Sequence, residues 1–393
     1  MTQPDSHLAP WPFFDDDEIE AVTDVLKSGR VNYRTGEQGQ AFEQEYAASS
    51  GVAHSLTVAN GTAALELALE ALDIGPGDEV IVPARTFVAT AAAVARCGAT
   101  PVVADIDPLS QNLDQDSISA VLSDRTRALI PVHLAGWPAD MNSIMSAARA
   151  SGLAVIEDCA QAHGALYNGK PVGTFGDIGC FSFCQDKIIS TGGEGGLVIT
   201  NNTGLHKKMW SLRDHGGDYD RAHADDPSSG FKWLVDRFST NWRMTEAQSA
   251  IGRIQLRKLE GWVDRRRANA ETLTDAIREL QVVQDLTPPE NMRHSYYKYY
   301  VLLDPEGLAD NWTRDRIVND LNVKGVPARV GACPDISGEA AFANANISTA
   351  NKRPHAAAIA DYTIMLPVHP TLTEGNVAFM ANALRTALEA ANR

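Results

Sequence analysis

Through the first 200 residues, short β-branched apolar runs alternate with segments of helical character, and this alternation constrains the fold most. Residues 54–59, 79–83, 101–105, 128–133 and 153–158 read as strands. Helical segments lie between them: the Ala-, Leu- and Glu-rich 63–72, one opening over 85–90, and one over about 141–151. Strand, helix and strand in repetition predict an α/β fold, a mainly parallel sheet with helices on both faces. Ligands of such sheets collect beyond the carboxyl ends of the strands. The residues just after each strand are therefore the ones with functional content.

The stretch Phe181-Ser182-Phe183-Cys184-Gln185-Asp186-Lys187 continues into the loop Ile188-Ile189-Ser190-Thr191-Gly192-Gly193-Glu194-Gly195-Gly196 and the apolar run Leu197-Val198-Ile199-Thr200. It reads as strand, loop, strand, with a loop too rich in glycine to be a helix. A lysine among apolar strands is costly to bury charged. Either Lys187 is kept as a neutral nucleophile, as in a Schiff base, or it snorkels from the strand end to water.

Other strand ends add to this. Asn60-Gly61-Thr62 is a tight turn opening a helix, which suits a phosphate, or else is an ordinary helix start capped by Thr62. Phe87 follows the second strand and is either ligand-facing or core. Glu157 and Asp158 end the fifth, before Cys159-Ala160-Gln161-Ala162-His163-Gly164. The turn at 60–62, Phe87, Asp158 and Lys187 thus share one sheet edge, and that convergence is the case for a site. No G-x-G-x-x-G follows the first strand, so a dinucleotide fingerprint is absent.

The length of 393 residues exceeds what one core usually spans, so two domains are expected. With 44% hydrophobic and 21% charged residues the chain reads as an ordinary globular protein. The net charge of −16 disfavours binding to nucleic acid or an anionic membrane. Five scattered cysteines indicate a reducing compartment rather than a disulfide framework. Cys180 and Cys184, placed on one face by strand alternation, lack a second ligand pair and read as core thiols, so no metal is expected. Neither a leader sequence nor a membrane-spanning run is evident, and the cytoplasm is the expected location.

Residues 1–15 read as an extended arm containing Pro10-Trp11-Pro12. Helices are expected over 18–27, stopped by Gly29, and 41–50, stopped near Gly51. After a helical piece at 205–212, residues 216–240 read as a polar loop. A long helical region follows over about 245–280, with a break near Gly261. Its Arg257, Lys258, Arg265, Arg266 and Arg267 read as a solvated face. A tyrosine-rich strand over 295–303 and helices over 314–324 and 375–390 complete the chain. The division expected is a large domain over 1–260 and a smaller α+β domain over 261–393.

The pieces fit pyridoxal phosphate: a lysine for its aldehyde, a carboxylate for its pyridine nitrogen, a helix start for its phosphate and an aromatic to stack on its ring. Nearly the whole chain also resembles the sugar aminotransferases of the DegT/StrS type, which have the aspartate-aminotransferase-like, pyridoxal-phosphate-dependent transferase fold. The matching segments are Asn60-Gly61-Thr62-Ala63-Ala64-Leu65, Pro83-Ala84-Arg85-Thr86-Phe87-Val88-Ala89-Thr90, Pro131-Val132-His133-Leu134-Ala135-Gly136, Glu157-Asp158-Cys159-Ala160-Gln161-Ala162-His163-Gly164, Gly176-Asp177-Ile178-Gly179-Cys180-Phe181-Ser182-Phe183, Lys187 with Gly193-Glu194-Gly195-Gly196, and Asn241-Trp242-Arg243-Met244. The resemblance implies that Lys187 is the Schiff-base lysine. It also implies that Asp158 pairs with the pyridine nitrogen, that Gln161 bonds the ring hydroxyl, and that Phe87 stacks on the ring. Gly61, Thr62, Ala63 and Ser182 would hold the phosphate. Asn241 would reach the phosphate of a neighbouring subunit's cofactor, which makes a homodimer part of the site.

The same resemblance implies transfer of an amino group from L-glutamate or L-glutamine to a keto-sugar, most often nucleotide-linked, in amino-sugar biosynthesis. A keto-cyclitol aminotransferase is the alternative, because Arg329-Val330-Gly331-Ala332-Cys333-Pro334-Asp335-Ile336 departs from the tyrosine- and histidine-containing segment common in nucleotide-sugar members. A sugar dehydratase of this family carries histidine in place of Lys187. A non-catalytic cofactor-binding regulator does not need the complete set of Lys187, Asp158 and Gln161. Tyr33, Arg213, His294 and Arg329 are further possible substrate contacts.

Overall fold

The computed structural model describes residues 8–224 and 235–393. The start of the expected arm and the middle of the expected 216–240 loop lie outside the described residues. The strands in chain order are β1 (His54–Val58), β2 (Glu79–Pro83), β3 (Thr100–Ala104), β4 (Thr126–Leu129), β5 (Ala154–Asp158), β6 (Leu166–Tyr167), β7 (Lys170–Pro171), β8 (Ile178–Ser182), β9 (Gly196–Thr200), β10 (Met292–Arg293), β11 (Tyr299–Leu302) and β12 (Thr363–Leu366). Seven of them form one sheet in the order β1-β9-β8-β5-β4-β2-β3. From β3 across to β8 every pairing is parallel, and β9 is antiparallel to both its neighbours. Six strands therefore run one way. The carboxyl ends of β1, β2, β5 and β8 lie along one edge, and β9 begins there.

Both faces of the sheet are covered, which is why its strands read as nearly continuous apolar runs. Val80, Val82, Ile156 and Val198 join Ala64, Leu65 and Ala68 of the helix Gly61–Ala71 on one face. Ile81, Leu129 and Val155 meet Met141, Ile144 and Ala148 of the helix Met141–Ser151 on the other. Phe181, Leu197 and Ile199 pack against Phe42 and Tyr46 of the helix Gln38–Ser50. Full burial of each such aliphatic or aromatic side chain is worth about 1.5–3 kcal/mol. The stops at Gly29 and Gly51 are as expected: both adopt left-handed backbone, at φ 68° and 67°, that glycine takes without a Cβ penalty.

Several elements differ from expectation. The helix after β2 is Ala89–Arg96 and does not open at Arg85. Arg85 turns inward instead, is fully buried, and donates from Nε to Gln111 at 2.8 Å and from Nη2 to Thr363 at 3.2 Å. β4 ends at Leu129, with residues 130–133 continuing as an extended path that bridges Asp158 at Val132. β8 ends at Ser182, so strand alternation does not carry Cys184 onto the face of Cys180.

The helix Glu246–Ile277 runs 32 residues without a break at Gly261. A glycine in a helix interior costs only about 1 kcal/mol. Packing against the helices Asp16–Ser28, Gln38–Ser50 and Glu374–Ala391 outweighs that. Its basic residues are not all a solvated face either. Arg266 is buried, and Lys258 bonds Asp15, Asp17 and Glu18. Beyond this helix, antiparallel β11 and β12 and the helices Arg314–Val323 and Glu374–Ala391 share an apolar cluster that includes Leu273, Ile277, Ile317, Ile364 and Leu384, with Leu8 from the arm.

Candidate active site

The turn after β1 is built by small residues. Asn60 caps the helix Gly61–Ala71, its Oδ1 accepting from the Ala63 amide at 2.8 Å, so Asn60 and not Thr62 is the capping residue. The Ala63 amide is thereby engaged. Gly61 and Thr62 occupy the first turn, where backbone N–H groups have no intrahelical partner. A Cβ on Gly61 would stand 2.6 Å from Cβ of Ser182. One on Gly196, which lies between Val58 and Ser182 in register, would stand 2.4 Å from the Asn60 carbonyl oxygen. Two positions without side chains therefore let the helix start close onto the end of β8 and bring Gly61 beside Ser182.

Strand alternation sends the adjacent acids of β5 to opposite faces. Glu157 is consumed by structure: it accepts from the amides of Gly173, Phe175 and Gly176, each at 2.7 Å, and is 3.1 Å from Nε2 of His133. His133 Nδ1 accepts from the Ala139 amide at 2.9 Å, so the proton sits on Nε2 and is donated to Glu157. Asp158 is buried, and each of its oxygens accepts one hydrogen bond, from Thr90 Oγ1 at 2.9 Å and from the Ala160 amide at 3.1 Å. Burial pushes its pKa up, against weaker downward effects of the Ala160 amide, Thr90, Lys187 and His133. Nearby, Gln161 Oε1 accepts from the Ala135 amide at 2.8 Å, which leaves the side-chain NH₂ to donate elsewhere. Phe87 is 68% exposed, which excludes the core alternative for it.

Lys187 is half-buried in the loop after β8. Its amide donates to the Cys184 carbonyl at 3.0 Å, and its own carbonyl accepts from Nε1 of Trp11 at 3.0 Å. Its Nζ stands 4.7 Å from the ring centroid of Tyr297. Tyr297 donates its hydroxyl to Asp186, whose carboxylate is 3.6 Å from Nζ of Lys298. Burial lowers Lys298 to about 8 and raises Tyr297. Burial works upward on Asp186 as well, but Lys298, Lys187 and the Tyr297 hydroxyl outweigh it and hold that carboxyl below its ordinary value. Beneath the end of β8, His163 is buried with Nε2 2.9 Å from the Ser182 carbonyl and Nδ1 3.1 Å from the Tyr46 hydroxyl. Burial lowers its pKa to about 4. The imidazole is therefore neutral, donating to the carbonyl and accepting from Tyr46.

The other residues singled out in the sequence lie apart. Asn241 is exposed and forms an isolated bridge with Asp214. Among the described residues no hydrogen bond joins it to Lys187, Asp158 or Ser182. Arg213 is buried over the Tyr33 ring, 4.2 Å from its centroid, and donates to Glu43 at 2.9 Å and the Thr57 carbonyl at 3.1 Å. His294 is buried and stacks on Tyr296 at 3.8 Å, while Arg329 is exposed. Thr90, Ala135, Tyr297 and Trp11 are contributors that sequence reasoning did not single out. Thr90 sits one helical turn after Phe87, which is a usable signal. Trp11 and Tyr297 carry none, since each reaches Lys187 from more than 100 residues away.

The profile of the DegT/DnrJ/EryC1/StrS aminotransferase family matches residues 12–385. The UDP-N-acetyl-3-dehydro-alpha-D-glucosamine 3-aminotransferase of Acidithiobacillus ferrooxidans is 37% identical over 383 residues, covering 98% of this chain and 96% of that relative. GDP-perosamine synthase of Caulobacter vibrioides is 42% identical over 298 residues, covering 73% and 74%. The X-ray structure of an aminotransferase from Psychrobacter cryohalolentis superposes with a TM-score of 0.96 at 44% identity, covering 98% of this chain and 99% of that one. A match over nearly the full length makes this chain an aminotransferase, a member of the DegT/DnrJ/EryC1/StrS family.

Proposed function

We propose that this aminotransferase uses pyridoxal 5′-phosphate to move an amino group from L-glutamate or L-glutamine to a keto-sugar, nucleotide-linked, in amino-sugar biosynthesis. The observation that carries the reading is Asp158: a buried carboxylate with raised proton affinity and one hydrogen bond on each oxygen, on the same sheet edge as Lys187. The residues suit the cofactor. A buried carboxylate suits a protonated pyridine nitrogen. The first-turn amides of Gly61 and Thr62 with the Ser182 hydroxyl suit a phosphate, in a cradle that a Cβ at Gly61 would fill. The free NH₂ of Gln161 suits a ring hydroxyl, and the exposed Phe87 suits a ring face. When bound, the cofactor supplies an aldehyde that condenses with amines and a ring that withdraws electrons from the carbon beside the nitrogen.

The chain's own residues do the rest. Asp158 would face the ring nitrogen and favour its protonated form. Lys187 would hold the cofactor's aldehyde carbon, and its Nζ, once free, would take the donor's α-proton and return it, acting as base and then acid. Thr90 and the Ala160 amide keep the Asp158 carboxylate turned to its task. Asn241, exposed in one chain, is free to reach a second copy, which supports a homodimer with shared sites. We also read the chain as a cytoplasmic protein with a large domain over 1–260 and a smaller one over 261–393, the long helix passing from one to the other. No helix among the described residues is long and apolar enough to cross a membrane.

The test is the visible spectrum of the purified protein, with and without L-glutamate and L-glutamine, beside a Lys187→Ala variant. A band that bleaches with a donor, and is absent or unresponsive in the variant, supports the reading. No band after supplying pyridoxal phosphate overturns it. The acceptor screen starts from UDP-N-acetyl-3-dehydro-glucosamine, for which the Acidithiobacillus relative is named. Turnover of keto-cyclitols alone would replace the keto-sugar by the alternative that the 329–336 segment raises.

A further inference from the structure

Trp11 reaches Lys187 from the far end of the chain. Its Nε1–H donates to the Lys187 carbonyl at 3.0 Å. The indole is itself fixed: Trp262 packs edge-on at 5.2 Å, His369 stacks at 6.0 Å, and the Arg266 guanidinium lies 5.0 Å over the ring. Arg266 is buried and donates from Nη1 to the carbonyls of Tyr296 and Tyr297, at 3.3 and 3.2 Å. Its Nε and Nη2 have no hydrogen-bond partner among the described residues. The Trp11 face adds a cation–π contact to the two carbonyl hydrogen bonds of that buried cation. Tyr297, held by Arg266 through its carbonyl, presents its ring to Lys187 Nζ. Both ends of Lys187 thus lead back to Arg266, the carbonyl through Trp11 and the amine through Tyr297.

A lysine has four side-chain torsions, and this one sits in a loop followed by Gly192, Gly193, Gly195 and Gly196. The loop is tied on either side, the Lys187 amide to the Cys184 carbonyl and the Ser190 and Thr191 amides to Gln255 Oε1 and the Phe183 carbonyl, and the Lys187 carbonyl is held by Trp11. An amine that must meet a reacting atom loses rate steeply when its starting point shifts.

We propose that Trp11 is a positioning residue for Lys187, its indole N–H pinning the lysine peptide so that Nζ stays registered over the Tyr297 ring. The proposal rests on the reactive role given to Lys187 above. Its test is hydrogen–deuterium exchange of residues 186–189 in the cofactor-free protein, comparing the parent with Trp11→Phe, which keeps a ring and removes the donor. A second variant carries benzothienylalanine at position 11, which keeps the indole shape with sulfur in place of N–H. Loss of one such hydrogen bond predicts exchange about three- to tenfold faster at 186–189, with the rest of the chain unchanged. In the loaded enzyme it predicts a kcat lower by a similar factor, a KM for glutamate within about twofold, and a shifted pH midpoint of the visible band.

Parental exchange, band midpoint and kcat in the benzothienylalanine variant would overturn the proposal. So would exchange that rises uniformly, which is the mark of packing loss alone. If Trp11→Phe fails to fold, the benzothienylalanine variant decides. A parent with no visible band would sink the cofactor reading, while the exchange experiment would still decide the tie between Trp11 and Lys187.

Discussion

Oγ1 of Thr90, in the first turn of one helix, lies 2.9 Å from Oδ2 of Asp158, at the carboxyl end of a strand 68 residues later. Thr86 Oγ1 is in turn 2.9 Å from Thr90 Oγ1. Since a carboxylate only accepts, Thr90 donates to Asp158 and accepts from Thr86. Two hydroxyls thus support one buried charge. Without Thr90, Asp158 is harder to ionise, and Thr90→Val is expected to lower turnover roughly tenfold. Steady-state kinetics of that variant, with the cofactor band as a loading control, checks this.

Asp158→Asn is expected to separate activity from stability. Burial raises the folded-state pKa of Asp158, so the folded protein binds that proton more tightly than the unfolded chain. Stability contributed by the protonated form is lost as pH rises through the folded pKa, and at neutral pH the ionised group costs stability. The cofactor-free Asn variant is therefore expected to melt a few degrees above the parent at pH 7 and to lose that advantage in acid. The loaded variant is expected to lose at least about a hundredfold in turnover, because an amide cannot hold a proton on the ring nitrogen. Calorimetry across pH, beside the rate, is the measurement.

Gly61→Ala is expected to strain the site from within. The new Cβ would meet Ser182 Cβ at 2.6 Å, in a corner where β8 and the helix start cannot both give way. Overpacking of this kind costs about 1–3 kcal/mol. The urea midpoint is expected to fall accordingly. Cofactor affinity, followed by fluorescence titration, is expected to weaken together with it.

Acid is expected to destabilise the fold through its histidines. Burial lowers His163 and His206 to about 4, and His294 and His369 to about 3. These groups bind protons better unfolded, so each takes stability away as pH falls below about 6.5, by up to about 1.4 kcal/mol per pH unit. His163→Gln, which keeps polar ends toward Tyr46 and the Ser182 carbonyl, is expected to be the weaker protein at pH 7. The gap to the parent is expected to close as pH drops toward 4.5. Urea midpoints of both proteins at four pH values check it.

A shared site predicts complementation. Lys187→Ala and Asn241→Ala proteins are each expected to be nearly inactive. Unfolded together and refolded as a mixture, they would form hybrid dimers with one intact site. Random pairing gives about a quarter of parental activity. Activity no greater than the sum of the separate variants would count against a site built from two chains.

Much of this was legible before any coordinates. The sustained alternation of strands and helices foretold a mainly parallel sheet, because both-face burial requires continuous apolar strands. The residues after β1, β2, β5 and β8 are legible as candidates because they stand next to strands in the chain. That Asn60 rather than Thr62 caps the helix is not legible in the sequence, since a cap is decided by which side chain meets the N3 amide and several neighbours qualify. Arg266 reads as solvent-facing in the sequence because a run of basic residues hides the one member that the helix turns inward under Trp11.

The sequence by itself determined the fold class and marked the 60–62 turn, Phe87, Asp158 and Lys187 as the notable residues of one sheet edge, while Gln161 came only with the family resemblance. The fold class and the sheet edge follow from local order: period, turn chemistry and position after a strand. Only the tertiary structure decided that Thr90 supports Asp158, that Glu157 is spent on backbone amides, and that Trp11 and Tyr297 hold the two ends of Lys187. Those are contacts between residues far apart in the chain, and hydrogen bonds and ring packing act over a few ångströms of space without regard to sequence separation.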